Sequence, residues 1–490
     1  MSAFAGRLPR ISQAVRMPLV FEAGALALVV GAAAYVFTRD LHTYPNFDEG
    51  NYLGSLDALR HGQSLGRDVF LDQPPGWYLL LVGVSYPFGN SVTGVRTGLM
   101  VVALLAIVAA YACGRLAGGP VAGIVAAAVM AIARPFAGFA ALVESEPASA
   151  ALAVVAVALA VVAYNRRFRP GFACASGAVL AASTLVKLPG ATAALPIGAL
   201  ALLCGTGPVS RRLLAPVAGA VAVCAAVVVA YHGALPEIWH GVFVTHARIL
   251  GTSTAASNLH RAATFVDPRT PFGWLVILGA VASALLAASG RHRRLLAALW
   301  LWIVGGYGFI LAMHPLSDHH LVFLAVSLAL PAGVGLGLFT AEALSRGLLG
   351  LAVPALVAAL VVAAMVDNRR EIAGSVVAQP VEIGWAVNQL RAHTQPGDLV
   401  VSDLPIVPYL ARRPMPGQLI DTSIARIAYE DLPPAAVLAL IDKERPTAVI
   451  IGRMFQTKPA IVAGIRSRYA RRLHQPISIG GYVDVFLDRR

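Results

Sequence analysis

Tyr44-Pro45-Asn46-Phe47-Asp48-Glu49-Gly50 is a polar stretch that follows an apolar run, Phe21 to Phe37, of a length suited to a bilayer. The same loop continues as Asp72-Gln73-Pro74-Pro75-Gly76-Trp77-Tyr78 before the next apolar run begins. Carboxylates are scarce in this chain, with 25 Asp and Glu among 490 residues. Gathering several of them in one loop beside an apolar run marks a place for chemistry at the water–lipid boundary. The run before the loop holds a single acid, Glu22, near its start.

Composition sets the class. The chain is 58% hydrophobic and 13% charged, with a mean hydropathy of +0.71. A soluble protein of this length would expose far more charge, so much of the apolar surface faces lipid. Taking roughly 20 apolar residues per crossing, the sequence offers about eleven spans. They lie near 18–38, 92–113, 119–139, 147–164, 171–186, 190–205, 213–232, 272–290, 295–313, 319–340 and 348–366. The pair at 171–205 is short and broken by Lys187-Leu188-Pro189-Gly190, and reads either as two thin spans or as a re-entrant hairpin.

The net charge of +13 is spread in a way that excludes nucleic acid as its partner. Arg7, Arg10 and Arg16 precede the first span, and alternate loops carry Arg115, then Arg166, Arg167 and Arg169, then Arg211 and Arg212, then Arg291, Arg293 and Arg294, then Arg346. That is the positive-inside pattern of a multi-pass plasma (inner) membrane protein with a cytoplasmic N-terminus. The opposite loops hold the acids, among them Asp48, Glu49, Asp72, Glu144, Glu146 and Asp318. Cys113, Cys174, Cys204 and Cys224 fall in or at the ends of apolar runs and imply no disulfide framework.

From about Asp367 the composition turns polar. Strand-like segments at Asp398–Asp403, Thr447–Gly452 and Tyr482–Leu487 alternate with helical spacing at Leu432–Lys443 and Pro459–Ala470. The expectation is a membrane domain over 1–366, with a first outer loop at 40–91, followed by a soluble extracytoplasmic α/β domain over 367–490. Within that loop Tyr52, Leu53, Leu56 and Leu59 recur at helical spacing and Gly62 closes the run, which predicts an amphipathic helix in the membrane interface. Asp48 stands at its start, as an N-cap or as a reactive acid.

Polar clusters recur at the predicted outer ends of spans: Asp48-Glu49, Asp72-Gln73-Pro74-Pro75, Arg134-Pro135 with Glu144-Ser145-Glu146-Pro147, Lys187-Leu188-Pro189, and His314-Pro315-Leu316-Ser317-Asp318-His319-His320. Taken singly each has a plain structural explanation. Pro-Pro is a turn, Arg134 can snorkel, and Glu146 suits a helix N-terminus. Taken together, carboxylates, cations and imidazoles on one face can bind an anionic headgroup and deprotonate an acceptor. Imidazole and carboxylate in the last cluster also suit a divalent metal. Adjacent His319 and His320, however, would point apart on a helix, so phosphate or substrate binding is the preferred reading and no metal ligand is assigned.

Phe47-Asp48-Glu49-Gly50, Asp72-Gln73-Pro74-Pro75 with Trp77-Tyr78, Glu146-Pro147, Leu185-Val186-Lys187-Leu188-Pro189 and Ser317-Asp318-His319-His320 resemble the membrane glycosyltransferases of GT-C fold. The protein O-mannosyltransferases and the bacterial lipid A aminoarabinose transferases are the groups in question. The resemblance spans roughly residues 20–340. It implies a sugar donor on polyprenyl phosphate, a lipid, glycan or protein acceptor, an inverting transfer on the outer face, and no required cofactor, with a divalent metal compatible. It also implies that Asp48 activates the acceptor, with Glu49 as its supporting neighbour. Asp72, Gln73, Arg134, Glu146, Lys187, His314, Asp318, His319 and His320 would line the substrate site. Members of the family usually carry Lys before Pro-Pro, and here Gln73 stands in its place. Gln can hydrogen-bond a phosphate but cannot neutralise it, so Lys187, Arg134 or His319 would take that role, and aminoarabinose transfer itself is not expected. The rival readings are a lipid-linked-sugar flippase, which would need charged residues at mid-membrane and internal repeats, and a membrane scaffold without chemistry.

Overall fold

The computed structural model describes residues 17–165, 167–249, 253–374, 378–477 and 481–490. Arg7, Arg10, Arg16 and Arg166, which entered the charge argument, lie outside the described residues. Helices dominate. Among the described residues eight are long and apolar enough to cross a membrane: 19–42, 92–118, 145–164, 209–230, 271–288, 293–312, 318–344 and 352–372. Three shorter apolar helices, Pro120–Ala131, Pro170–Val186 and Leu188–Leu203, fall where the remaining apolar runs were expected.

The helices that carry the site are α1 (Leu19–Phe37), α2 (Phe47–Arg60), α3 (Pro75–Phe88), α4 (Val92–Gly118), α5 (Pro120–Ala131), α6 (Arg134–Phe139), α7 (Ser145–Tyr164) and α8 (Pro170–Val186). The helix Val322–Leu344 is buried along nearly its whole length and packs on α4, α5 and α7. It forms the centre of the bundle. Helix α8 ends at Lys187, whose backbone is extended. Ser149 Oγ accounts for the stranded carbonyls there, donating to Ser183 at 2.8 Å and approaching Lys187 O at 3.2 Å.

The C-terminal residues build a four-stranded sheet of β1 (Val400–Ser402), β2 (Ala448–Ile451), β3 (Tyr469–Pro476) and β4 (Tyr482–Arg489), in the order β1-β2-β4-β3. β1 and β2 run parallel with Val401 opposite Val449, while β4 is antiparallel to both β2 and β3. Both β1 and β2 are buried throughout, which is why they read as short continuous apolar runs. β3 lies at the sheet edge, and the sequence reading did not anticipate it.

Helix α2 does not lie in a lipid interface as expected. Leu53 and Leu56 are fully buried and share a core with Trp77, Val407 and Ile420. Its apolar face is thus covered by the C-terminal residues. Glycine permits the approach: a Cβ at Gly50 would come to 3.0 Å from the Ile406 backbone nitrogen. The loop that precedes the second span is therefore clamped between the bundle and the sheet domain.

Candidate active site

The start of α2 is held by Asn46. Its Oδ1 accepts the Glu49 N–H at 2.8 Å, and Glu49 Oε2 accepts the Asn46 N–H at 3.1 Å, forming a capping box. The reading of Asp48 as an N-cap is thereby overturned. Glu49 is engaged elsewhere as well. Arg96 on α4 donates from Nε to Glu49 Oε1 at 2.9 Å and from Nη2 to Oε2 at 2.6 Å. Val143 N–H adds a donor to Oε1 at 2.8 Å, and Arg96 Nη1 reaches the carbonyls of Asp40 and Thr43, both at 2.7 Å. Arg96 is fully buried and Glu49 is 1% exposed, so this pair staples the loop to the bundle. Every oxygen of Glu49 is occupied by that task.

The side chain of Asp48, one residue before, makes no hydrogen bond and no ion pair among the described residues. It is partly buried, and its carboxylate, a Glu144 carboxylate oxygen and a His319 ring nitrogen lie within 4.8 Å of one another. Loss of hydration pushes the Asp48 carboxyl above its ordinary range; Asp72 and Glu146 push the same way, against the pull of His319 and Arg453. Glu144 is buried at 2% exposure, and Asn46 Nδ2 donates to its Oε1 at 2.8 Å. Burial and then the Asp48 charge raise Glu144 well above the usual carboxylate range, so the two acids compete for one proton.

The remaining expected residues divide into two groups. Glu146, in the first turn of α7, is 1% exposed and pairs with Lys187 Nζ at 2.9 Å. His319 and His320 lie in the tight turn Asp318–Leu321, where their ring nitrogens come to 3.7 and 3.8 Å from the same Glu146 oxygen. They converge, contrary to the expectation that neighbours point apart, because the side chains turn toward each other until the ring centres lie 4.4 Å apart. His320 Nδ1 accepts the Ser317 N–H at 3.1 Å, which leaves the proton on Nε2, facing Glu146. Asp72 accepts the Tyr78 hydroxyl at 2.8 Å and the Gln73 amide at 3.1 Å. Gln73 thus holds Asp72 in place. Gly76 secures this segment on the end of α8, where a Cβ would come within 2.7 Å of the Leu185 carbonyl oxygen.

Arg134, His314 and Asp318 are placed differently. Arg134 is ion-paired with Glu371, Asp318 is exposed and ion-paired with Arg261, and His314 is exposed with Ser253 Oγ at 3.2 Å. Their short polar motif neighbours are in the cluster, but they are not bonded to it.

Some residues of the site went unread in the sequence. Arg96 could have been found as a lone cation in an apolar run. Arg453 follows β2 and lies 3.5 Å from the centre of the Phe47 ring, close enough to lower the Asp48 carboxyl. Asp403, after β1, places it by accepting the backbone N–H groups of Gly452, Arg453 and Phe455 at 2.7, 2.9 and 2.8 Å. Burial raises Asp403 to about 6 in spite of those bonds.

Four carboxylates (Asp48, Asp72, Glu144, Glu146) thus surround two fixed cations (Lys187, Arg453) and two imidazoles. Such a centre can take a proton at Asp48 and offer Lys187 to an anion. As to a metal, Asp48, Glu144 and His319 supply a hard carboxylate set with one imidazole, within reach of one ion. Glu146, His319 and His320 fit less well, since Lys187 already holds Glu146 and His320 presents a proton there.

No known protein-family profile matches the chain, and no curated protein matches it in sequence. Its fold is similar to that of solved structures. ArnT from Cupriavidus metallidurans in the apo state aligns with a TM-score of 0.69 at 16% identity, over 94% of this chain and 98% of that one. The same protein bound to undecaprenyl phosphate aligns at 0.66 and 14%, over 95% and 97%. The Archaeoglobus fulgidus oligosaccharyltransferase tethered to an acceptor peptide aligns at 0.54 and 14%, over 94% and 73%; its complex with Zn and sulfate aligns at 0.52 and 14%, over 93% and 72%. The chain therefore has the GT-C fold, and it is a polytopic helical membrane protein.

Proposed function

We propose that this chain is a membrane glycosyltransferase that moves a sugar from a polyprenyl-phosphate donor to an acceptor hydroxyl, with inversion at the anomeric carbon. The observation that carries the reading is Asp48, a desolvated carboxylate at a helix start that neither caps the helix nor pairs with a cation. In this reading Asp48 takes the proton from the acceptor hydroxyl. The oxygen forms a bond to the anomeric carbon while the bond from that carbon to the phosphate oxygen breaks, and polyprenyl phosphate leaves with the electron pair. Lys187 turns from Glu146 to the phosphate, and the His320 proton then keeps Glu146 partnered. Gln73 positions Asp72 and does not carry the phosphate. Glu49 supports Asp48 by fixing the first turn of α2. The neighbours named above include one bound to undecaprenyl phosphate, which favours the donor class.

The alternation of basic and acidic loops supports eleven crossings, a cytoplasmic N-terminus and a site with residues 367–490 on the outer face of the inner membrane. A second reading gives Asp48, Glu144 and His319 to a divalent cation, which would supply charge neutralisation for the departing phosphate. The assay of purified protein against a panel of polyprenyl-phosphate sugars, with release of polyprenyl phosphate as readout, tests the function. Turnover of none of them, in the presence of lipid, glycan and peptide acceptors, refutes it. Loss of turnover with a chelator, restored by one added divalent ion, selects the second reading.

A further inference from the structure

The helix Val322–Leu344 begins just after His319 and His320 and carries Glu342 near its other end. At 1.5 Å per residue, His320 and Glu342 lie roughly 33 Å apart along it. The hydrocarbon core of a bilayer is roughly 30 Å thick, so Glu342 stands at headgroup level on the membrane face opposite Asp48. The helix Pro271–Ala288 packs against this one closely, since a Cβ at Gly279 would come within 2.6 Å of the Ala332 backbone.

A cavity of about 240 Å³ lies between the far ends of these two helices. Its polar lining is Ser289, Arg291, Glu342 and Arg346, and Leu286 and Phe339 are among its apolar walls. Two helix ends build it. Gly290, at φ 76°, donates its N–H to Ala287 O at 3.0 Å, and Arg291 donates its N–H to Leu286 O at 2.9 Å. That is a Schellman motif, and it turns Arg291 back over the end of its helix. On the other helix Arg346 N–H bonds Ala343 O at 2.9 Å, before Gly347 leaves the turn at φ 85°.

Glu342 Oε1 accepts from both Arg291 Nη1 and Arg346 Nη2, the latter at 2.8 Å. One carboxylate oxygen thereby holds two guanidinium groups side by side. Each spends one of its donors there and, among the described residues, makes no other side-chain hydrogen bond. Glu342 is the only acid among the described residues that line the cavity, so two cations and one anion leave a charge of +1. Val281 and Leu285, one helical turn apart on the helix that ends here, are 50% and 54% exposed. The cavity is smaller than the roughly 300–1,000 Å³ that encloses a whole drug-sized ligand, which suits a headgroup whose chains stay in the bilayer.

We propose that Arg291, Arg346 and Glu342 bind the headgroup of a phospholipid with a single anionic phosphodiester, of the phosphatidylglycerol kind. The phosphate lies between the two guanidinium groups and neutralises the remaining charge. A headgroup hydroxyl donates to Glu342 Oε2, and the chains run along Leu285 and Val281. In the orientation proposed above this is the cytoplasmic leaflet. The site shares no residue with the transfer centre and does not depend on the reaction proposed there.

Native mass spectrometry of the full-length protein in detergent, titrated with short-chain phosphatidylglycerol or phosphatidylcholine, tests the site. The wild type should bind one phosphatidylglycerol at least tenfold more tightly than phosphatidylcholine. Changing Arg291→Gln and Arg346→Gln together should bring the two lipids within twofold, whereas the exposed neighbour Arg293→Gln should keep the preference. Glu342→Gln raises the cavity charge and should tighten phosphatidylglycerol binding, an effect that a purely structural ion pair would not give. Circular dichroism and gel filtration confirm that each variant is folded. Equal binding of the two lipids by the wild type, a preference retained in the double variant, or weaker binding by Glu342→Gln overturns the site. Displacement of the lipid by equimolar glycerophosphate would make it a site for soluble phosphate and overturn the lipid assignment.

Discussion

Replacing Arg96 by methionine keeps most of the side-chain volume and removes the charge from a site with no exposure. Glu49 would then keep the N–H donors of Asn46 and Val143 but lose both bonds from the guanidinium. Breaking one partner out of a buried pair costs about 3–5 kcal/mol, most of it the uncompensated charge. The carbonyls of Asp40 and Thr43 lose a shared donor as well, at about 1 kcal/mol each if they stay dry. Glu49→Gln strands the other charge and should lie in the same range. The double variant removes both charges, so its loss should fall short of the sum of the singles by roughly 2 kcal/mol. Denaturant unfolding of the detergent-solubilised protein measures all three. Single losses below about 1 kcal/mol, or losses that simply add, would refute the staple and return Glu49 to the reacting groups.

Three further outcomes are expected. Since the Asp72 charge raises the Asp48 carboxyl and Arg453 lowers it, Asp72→Asn should move the acid limb of the rate profile to lower pH and Arg453→Gln to higher pH; shifts of one sign in both variants would contradict Asp48 as the titrating group. Lys187→Met should weaken both folding and undecaprenyl phosphate binding, because it leaves Glu146 without its closest cation, while the further change Glu146→Gln should restore stability but not binding; recovery of both would make Lys187 purely structural. A membrane-impermeant thiol reagent applied to intact cells should label a cysteine placed at the exposed Ser467 and miss one at the exposed Arg293, and labelling of Arg293 alone would invert the orientation.

What could be read from the sequence was what periodicity and scarcity expose. Apolar runs located the long helices, and the rarity of carboxylates singled out Asp48, Asp72 and Glu146. Contacts between distant segments were beyond that reach. Nothing local says that Asn46, two residues upstream, takes the cap and frees Asp48, or that Arg96 comes back to Glu49. The His319-His320 pair was judged by backbone spacing alone, whereas the side-chain torsions bring the two ring centres to 4.4 Å. β3 was hidden because an edge strand rich in exposed arginine, Arg471 and Arg472, shows no apolar alternation. Arg453 looked like the residue after a core strand, although its place at the end of a parallel strand carried a hint of function.

The central claim is that Asp48 acts as the base, and Asp48→Asn tests it with the fewest side effects. Asn46 holds the cap, so the substitution leaves the helix start intact, and Asp48 has no bond of its own to lose. Steady-state transfer from the donor identified in the polyprenyl-phosphate panel should fall by about a hundredfold or more, with undecaprenyl phosphate binding and expression unchanged. Near-normal turnover by Asp48→Asn would contradict the mechanism.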